Sequence, residues 1–126
     1  MAYVYFNANP LLKEVGDCTI RAIALATSLS WDEVFLSLSD FAFIKKDIMI
    51  SNQVWQSFLQ SIGFKRTWIP NTCPLCYSIK DFCLDHPIGV YILGTDKHVV
   101  TVIDGDYYDT WDSGNEVPLY FWQKGV

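Results

Sequence analysis

A thiol attacks a carbonyl carbon only as the thiolate, and the residues around Cys18 favour that form. Gly16-Asp17 leads into CTIRAIALAT at 18–27, where Ile20, Ile23, Ala24 and Thr27 recur at helical spacing, so the run predicts a helix. Asp17 is a good N-cap, which makes Cys18 the opening residue, beside the unpaired N–H groups and partial positive charge of a helix start. The Asp17 carboxylate opposes a neighbouring thiolate by like charge, and its capping role has to outweigh that. A base is the second requirement. His98 begins an apolar run after the GTDK loop at 94–97, where its ring can face outward from a sheet edge. The third requirement is a group that holds the imidazole in one tautomer, and Asp109 and Asp112 lie one hairpin downstream.

Strand register selects between the two carboxylates, because side chains alternate faces. A three-residue loop at 104–106 sets Ile103 against Tyr107 and His98 against Asp112. A two-residue turn at Asp104-Gly105 sets His98 against Trp111 and makes Asp109 the diagonal neighbour. The longer loop, and with it Asp112, is the preferred arrangement; Asp109 is the alternative. Taken singly, Cys18 reads as a small buried residue, His98 as a hydrogen-bonded structural histidine, and the aspartates as turn or strand-end residues. Arg21 reads as half of an ion pair on the helix face. Only the combination, in this chain order, points to a Cys-His-Asp triad.

A second constellation is Cys73-Pro-Leu-Cys76 followed by Cys83 and His86, a C-x2-C-x6-C-x2-H spacing. Three thiolates and an imidazole can hold Zn²⁺ tetrahedrally, and the spacing is close to that of a zinc knuckle. Ile79, Phe82, Cys83 and His86 also fall on one face of a short helix, which makes Cys83 a core residue. Three readings therefore stand: a zinc site, a buried Cys83 with free loop thiols, or a redox or disulfide pair at Cys73 and Cys76.

The elements that must position these groups divide the chain. Ser30-Trp-Asp-Glu33 is a capping box, with Trp31, Val34, Phe35 and Leu38 as one stripe behind it. Ser51 opens a third helix with Val54, Trp55, Phe58, Leu59 and Ile62 inward and Gly63 as its stop, and a short strand follows at 64–69. Ser78 and Asp81 start a short helix that Pro87 ends. Beyond it, residues 90–93, 98–103, 107–111 and 118–122 are β-branched or aromatic runs separated by Gly, Asp and Asn. The aromatic tail, Tyr120-Phe-Trp122, reads as core, with a strand edge there able to receive an extended peptide as a weaker reading. The layout is an α+β domain spanning 1–126, with N-terminal helices packed on a C-terminal antiparallel β-sheet.

Composition agrees with one globular domain. The 126 residues are 51% hydrophobic and 18% charged, which excludes a disordered or low-complexity chain. The net charge of −5 disfavours nucleic acid, and the basic pairs are confined to Lys45-Lys46 and Lys65-Arg66. The N-terminal residues lack a signal-peptide pattern and no apolar run reaches membrane-spanning length, so the expectation is a cytoplasmic protein that engages no membrane.

Gly-Asp-Cys-Thr-Ile-Arg-Ala-Ile-Ala at 16–24 resembles the nucleophile helix of papain-like cysteine peptidases, and is especially similar to the Gly-Asn-Cys-x-x-Arg-Ala segment of OTU-type deubiquitinases. Cys on an early helix, His on a strand and Asp on the next strand is also the papain-like order. The DTWDSG segment at 109–114 is similar to the strand end that carries the orienting amide in papain, and the whole chain resembles small phage and bacterial proteins with such ends. Two positions depart from the pattern: Leu12 stands where papain has its oxyanion Gln, and Val15 where OTU enzymes have an Asp. The backbone N–H of Cys18, with the amide of Asn9 or Asn7, is the candidate oxyanion hole.

The resemblance implies a papain-like fold and a cofactor-free cysteine hydrolase acting on peptide or isopeptide bonds of a peptide or protein substrate. A bacterial cell or phage-infected host is the setting it suggests. A second expectation keeps the scaffold but not the activity: a papain-like protein that binds and modulates a host protein. A third is a zinc-stabilised interaction module built on Cys73, Cys76, Cys83 and His86.

Overall fold

A computed structural model describes residues 2–125. It is an α+β domain of four helices and one six-stranded sheet: β1 (Tyr3–Tyr5), α1 (Cys18–Thr27), α2 (Trp31–Lys45), α3 (Asn52–Ser61), β2 (Phe64–Trp68), α4 (Ile79–Asp85), β3 (Val90–Gly94), β4 (Val99–Ile103), β5 (Asp106–Asp109) and β6 (Tyr120–Lys124). Among the described residues no helix is long and apolar enough to cross a membrane.

The sheet order is β1-β5-β4-β3-β6-β2. This corrects the expected antiparallel C-terminal sheet in two respects. The N-terminal segment supplies β1, which runs parallel to β5, and β2 comes from the helical half, so the sheet is mixed. The aromatic tail forms β6 inside the sheet, between β3 and β2, which leaves β1 and β2 as the edges.

Helices cover both faces rather than one. Alternation along β3 sends Ile92 toward α1, α2 and α3, and sends Tyr91 and Leu93 toward α4. The larger core gathers Ile23, Val34, Leu38, Val54 and Trp55 with Ile92 and Trp122 from the sheet. The smaller core gathers Ile79, Phe82 and Cys83 of α4 against Leu93, Val100 and Tyr107. Burying one such aliphatic side chain is worth about 1.5–3 kcal/mol, so both faces contribute to holding the helices on the sheet.

Local chemistry sets the helix ends. Ser30 and Glu33 form the capping box of α2, and Ser78 and Asp81 that of α4, each side chain accepting from the other's backbone N–H. In α2 the inward residues are Val34, Leu38 and Ala42; Trp31 and Phe35 stack on each other at the rim. A long-range bond ties α1 to the sheet: the buried Thr101 hydroxyl on β4 donates to the Ala22 carbonyl at 2.6 Å.

Candidate active site

Cys18 is the first residue of α1, and Asp17 takes the N-cap position, as the sequence predicts. The capping hydrogen bond itself is not made. The Asp17 carboxylate turns away from the helix start: one oxygen accepts from Arg21 at 2.7 Å and the other from the Trp31 indole at 2.9 Å. This resolves the conflict posed by a carboxylate next to a nucleophile. The negative charge of Asp17 is matched by Arg21 inside the protein, and no side chain covers the first-turn N–H groups beside Cys18.

His98 stands at the last loop position before β4. The β4–β5 ladder pairs Ile103 with Asp106, Val102 with Tyr107 and Thr101 with Tyr108, so the hairpin closes through Asp104 and Gly105 alone. Both turn residues have positive φ, 50° and 81°, as a type I′ turn requires. That register overturns the three-residue loop and the preference for Asp112 that went with it. Asp109 is the diagonal neighbour, and its Oδ2 meets His98 Nε2 at 2.5 Å. Asp112 instead accepts from the Tyr107 hydroxyl at 2.5 Å and from the Gly114 N–H at 3.1 Å, closing the loop after β5.

Asp109 is fully buried and its two oxygens receive four donors. Oδ2 accepts from His98 and from the Ser113 hydroxyl at 2.6 Å; Oδ1 accepts from Arg21 at 2.9 Å and from the Thr110 N–H at 2.8 Å. Burial pushes this carboxyl up, but His98, Ser113 and Thr110 outweigh it and hold Asp109 below its ordinary value. With Nε2 of His98 committed to Asp109, Nδ1 is the ring nitrogen left for the thiol. Burial pulls His98 down, while its hydrogen bonds to Asp109 and Cys18 and the charges of both raise it to about 9. Burial raises Cys18 as well, and the His98 bond and charge, the Val99 backbone and Arg21 together bring it below the ordinary thiol value. Each partner thus favours the charged form of the other.

Arg21 is a residue whose role the sequence signalled only in part. The four-residue spacing from Asp17 announces the helix-face ion pair, and nothing local announces Asp109, 88 positions away. The guanidinium is buried between the two carboxylates. The result is a series of alternating charges, Asp17, Arg21, Asp109, His98 and Cys18, leading from the interior to the surface. Trp111 lies over the outer end, its ring 4.9 Å from that of His98, and shields the histidine from water.

Cys18 and His98 stand where two hollows meet, together with Gly16 and Lys97. One, of about 220 Å³, is walled by Asn52, Trp55, Thr95 and Tyr120. The other, of about 440 Å³, is walled by Glu14, Val15, Thr110 and Trp111. A chain laid across both passes over the thiol. Gly94 has a steric part in the first hollow: a Cβ there would sit 2.4 Å from the Tyr120 ring, whose hydroxyl accepts from Gln56.

The remaining candidates lie elsewhere. Asn7 and Asn9 organise their own loop: Asn7 accepts from the Asn9 N–H and donates to the Lys13 carbonyl, and Asn9 accepts from the Leu11 N–H. Neither lines the hollows at Cys18. Cys73 and Cys76 are joined in a disulfide, Cys83 is a buried free thiol in α4, and His86 bonds the Phe82 carbonyl through Nδ1. The four are not gathered, and among the described residues no group of three His, Cys, Asp or Glu side chains is placed to hold a metal ion.

No protein-family model, curated protein or solved structure matches this chain.

Proposed function

We propose that the protein is a cysteine hydrolase with a papain-like arrangement, cleaving peptide or isopeptide bonds through Cys18, His98 and Asp109. The observation that carries the reading is the buried Asp109 carboxylate on His98 Nε2, in a histidine that lines the same two hollows as a thiol at a helix start. The Cys18 thiolate attacks the carbonyl carbon, and the negative oxygen that forms is met by the Cys18 N–H at the uncapped end of α1. The imidazolium gives its proton to the leaving amine as the C–N bond breaks, leaving a thioester on Cys18. His98 then takes a proton from water, which attacks the thioester; the acid leaves and the thiolate–imidazolium pair is restored. Asp109 keeps the tautomer throughout and remains ionised.

Selective alkylation tests the reading without knowledge of the substrate. Iodoacetamide is expected to label Cys18 at least about a hundredfold faster than Cys83 at neutral pH, because Cys83 sits at about 11 and Cys18 below the ordinary 9. His98→Ala is expected to slow the labelling of Cys18 itself, with Cys83 unchanged. Equal rates for the two thiols in the native protein would overturn the proposal.

A further inference from the structure

The groove between α3 and the edge strand β2 carries charge opposite to that of the protein as a whole. It measures about 740 Å³; Lys45, Lys65 and Arg66 line it, with the amides of Gln53, Gln56 and Gln60. No carboxylate lines it, in a chain whose net charge is −5. None of the three cations takes part in an ion pair among the described residues. Arg66 lies over the exposed Trp68 ring at 4.5 Å and donates to Gln56 at 2.7 Å, which holds its guanidinium in place by neutral partners alone. Trp122, also in the wall, keeps a buried indole N–H without an acceptor.

Edge strands commonly carry lysine to repel stray strands, and that accounts for Lys65. It does not account for Lys45, which comes from α2, for the row of amides on α3, or for an arginine laid flat on tryptophan. We propose that this groove docks an extended acidic segment of a polypeptide. The carboxylates of the segment meet Lys45, Lys65 and Arg66. Its backbone uses the open edge of β2 and the amides of Gln53 and Gln60, which offer the donors and acceptors that a peptide chain needs. A polyphosphate chain finds the same cations but none of that backbone pairing. Asn52 lines both this groove and the smaller hollow beside Cys18, so a docked chain leads toward the thiol. Only that continuation rests on the hydrolase reading; docking does not.

The experiment is fluorescence anisotropy with a labelled peptide alternating glutamate and valine, its glutamine counterpart, and a labelled single-stranded oligonucleotide. The glutamate peptide is expected to bind, to weaken as salt is raised, and to lose about tenfold or more in affinity to the Lys45→Glu/Lys65→Glu double variant. Cys18→Ala protein is expected to bind it like wild type. Binding of the glutamate peptide alongside an ordinary alkylation rate at Cys18 would sink the hydrolase reading and leave docking standing. Equal affinity for the glutamine peptide, no loss in the double variant, or tighter binding of the oligonucleotide would each overturn the proposal.

Discussion

The molecule holds two cysteine–histidine neighbourhoods made of the same residue types, and they have opposite characters. Cys18 opens its helix, is partly exposed and is held below the ordinary thiol value by His98. Cys83 lies inside α4, and burial pushes it up to about 11. The histidines differ in the same way. His98 is held by a buried carboxylate and lines the same hollows as Cys18, whereas His86 stacks on Phe82 at 3.8 Å and ends α4 by bonding its Phe82 carbonyl. Residue type therefore decides little. What separates the two sites is position along the helix and the presence of an ionised partner behind the imidazole.

The largest blow to that contrast is expected from Asp109. Asp109→Asn presents an amide to His98 and weakens the hold on Arg21, so hydrolysis should fall about a thousandfold, measured as kcat/KM on any substrate found. Asp112→Asn should leave the rate within about twofold of wild type, since the hydrogen bonds of Asp112 among the described residues come from Tyr107 and the Gly114 N–H rather than from His98. An equal loss in both would return the orienting role to Asp112.

A second difference is pH dependence. The folded His98 value of about 9 lies above the ordinary 6.5, so its contribution to stability is complete below about 6.5 and is lost as pH rises through about 9. Asp109 behaves oppositely: its contribution is present above 3.8 and disappears as pH falls through its lowered folded value. Denaturant melts of wild type and His98→Ala should converge between pH 6.5 and 9. In a Cys18→Ser background the upper edge of that window should move down, because the thiol is one of the groups that raises His98. A difference between the two melts that stays constant across the window would contradict the coupling.

The smallest effect belongs to the other neighbourhood. Cys83→Ala should cost about 1–2 kcal/mol of stability, read by denaturation, through the space left against Val100 and Tyr107. Hydrolysis and Cys18 labelling should not change. A loss of activity there would mean that the two sites communicate.

Much of this was legible in the sequence where one element's own pattern decides it. The periodic apolar residues at 18–27, the capping box at 30–33, the helix start at Ser78 and the β-branched runs after Pro87 each announce an element whose bounds match the structure to within a few residues. The pairings between elements were less legible. Asp104-Gly105 is itself a type I′ turn signal, and giving it full weight selects Asp109 over Asp112. Strand β1 has three residues and no periodicity to show, and it exists because β5 offers it an edge. The inward turn of Asp17 was hidden for another reason. A capping residue and an ion-pair partner look alike in sequence, and only the arrival of Trp31 and Arg21 on one side decides between them. The C-x2-C-x6-C-x2-H spacing shows the converse: ligand-like intervals along the chain did not become a shared point in space.

Under the proposed hydrolase function, Arg21 bears on when the thiol becomes reactive. The guanidinium joins the first helix to a strand made 88 positions later, and the same strand delivers the carboxylate that readies His98. A growing or partly unravelled chain thus carries a thiol of common reactivity. On the proposed reading the thiol is activated once β5 has paired, so synthesis and arming would be separate events.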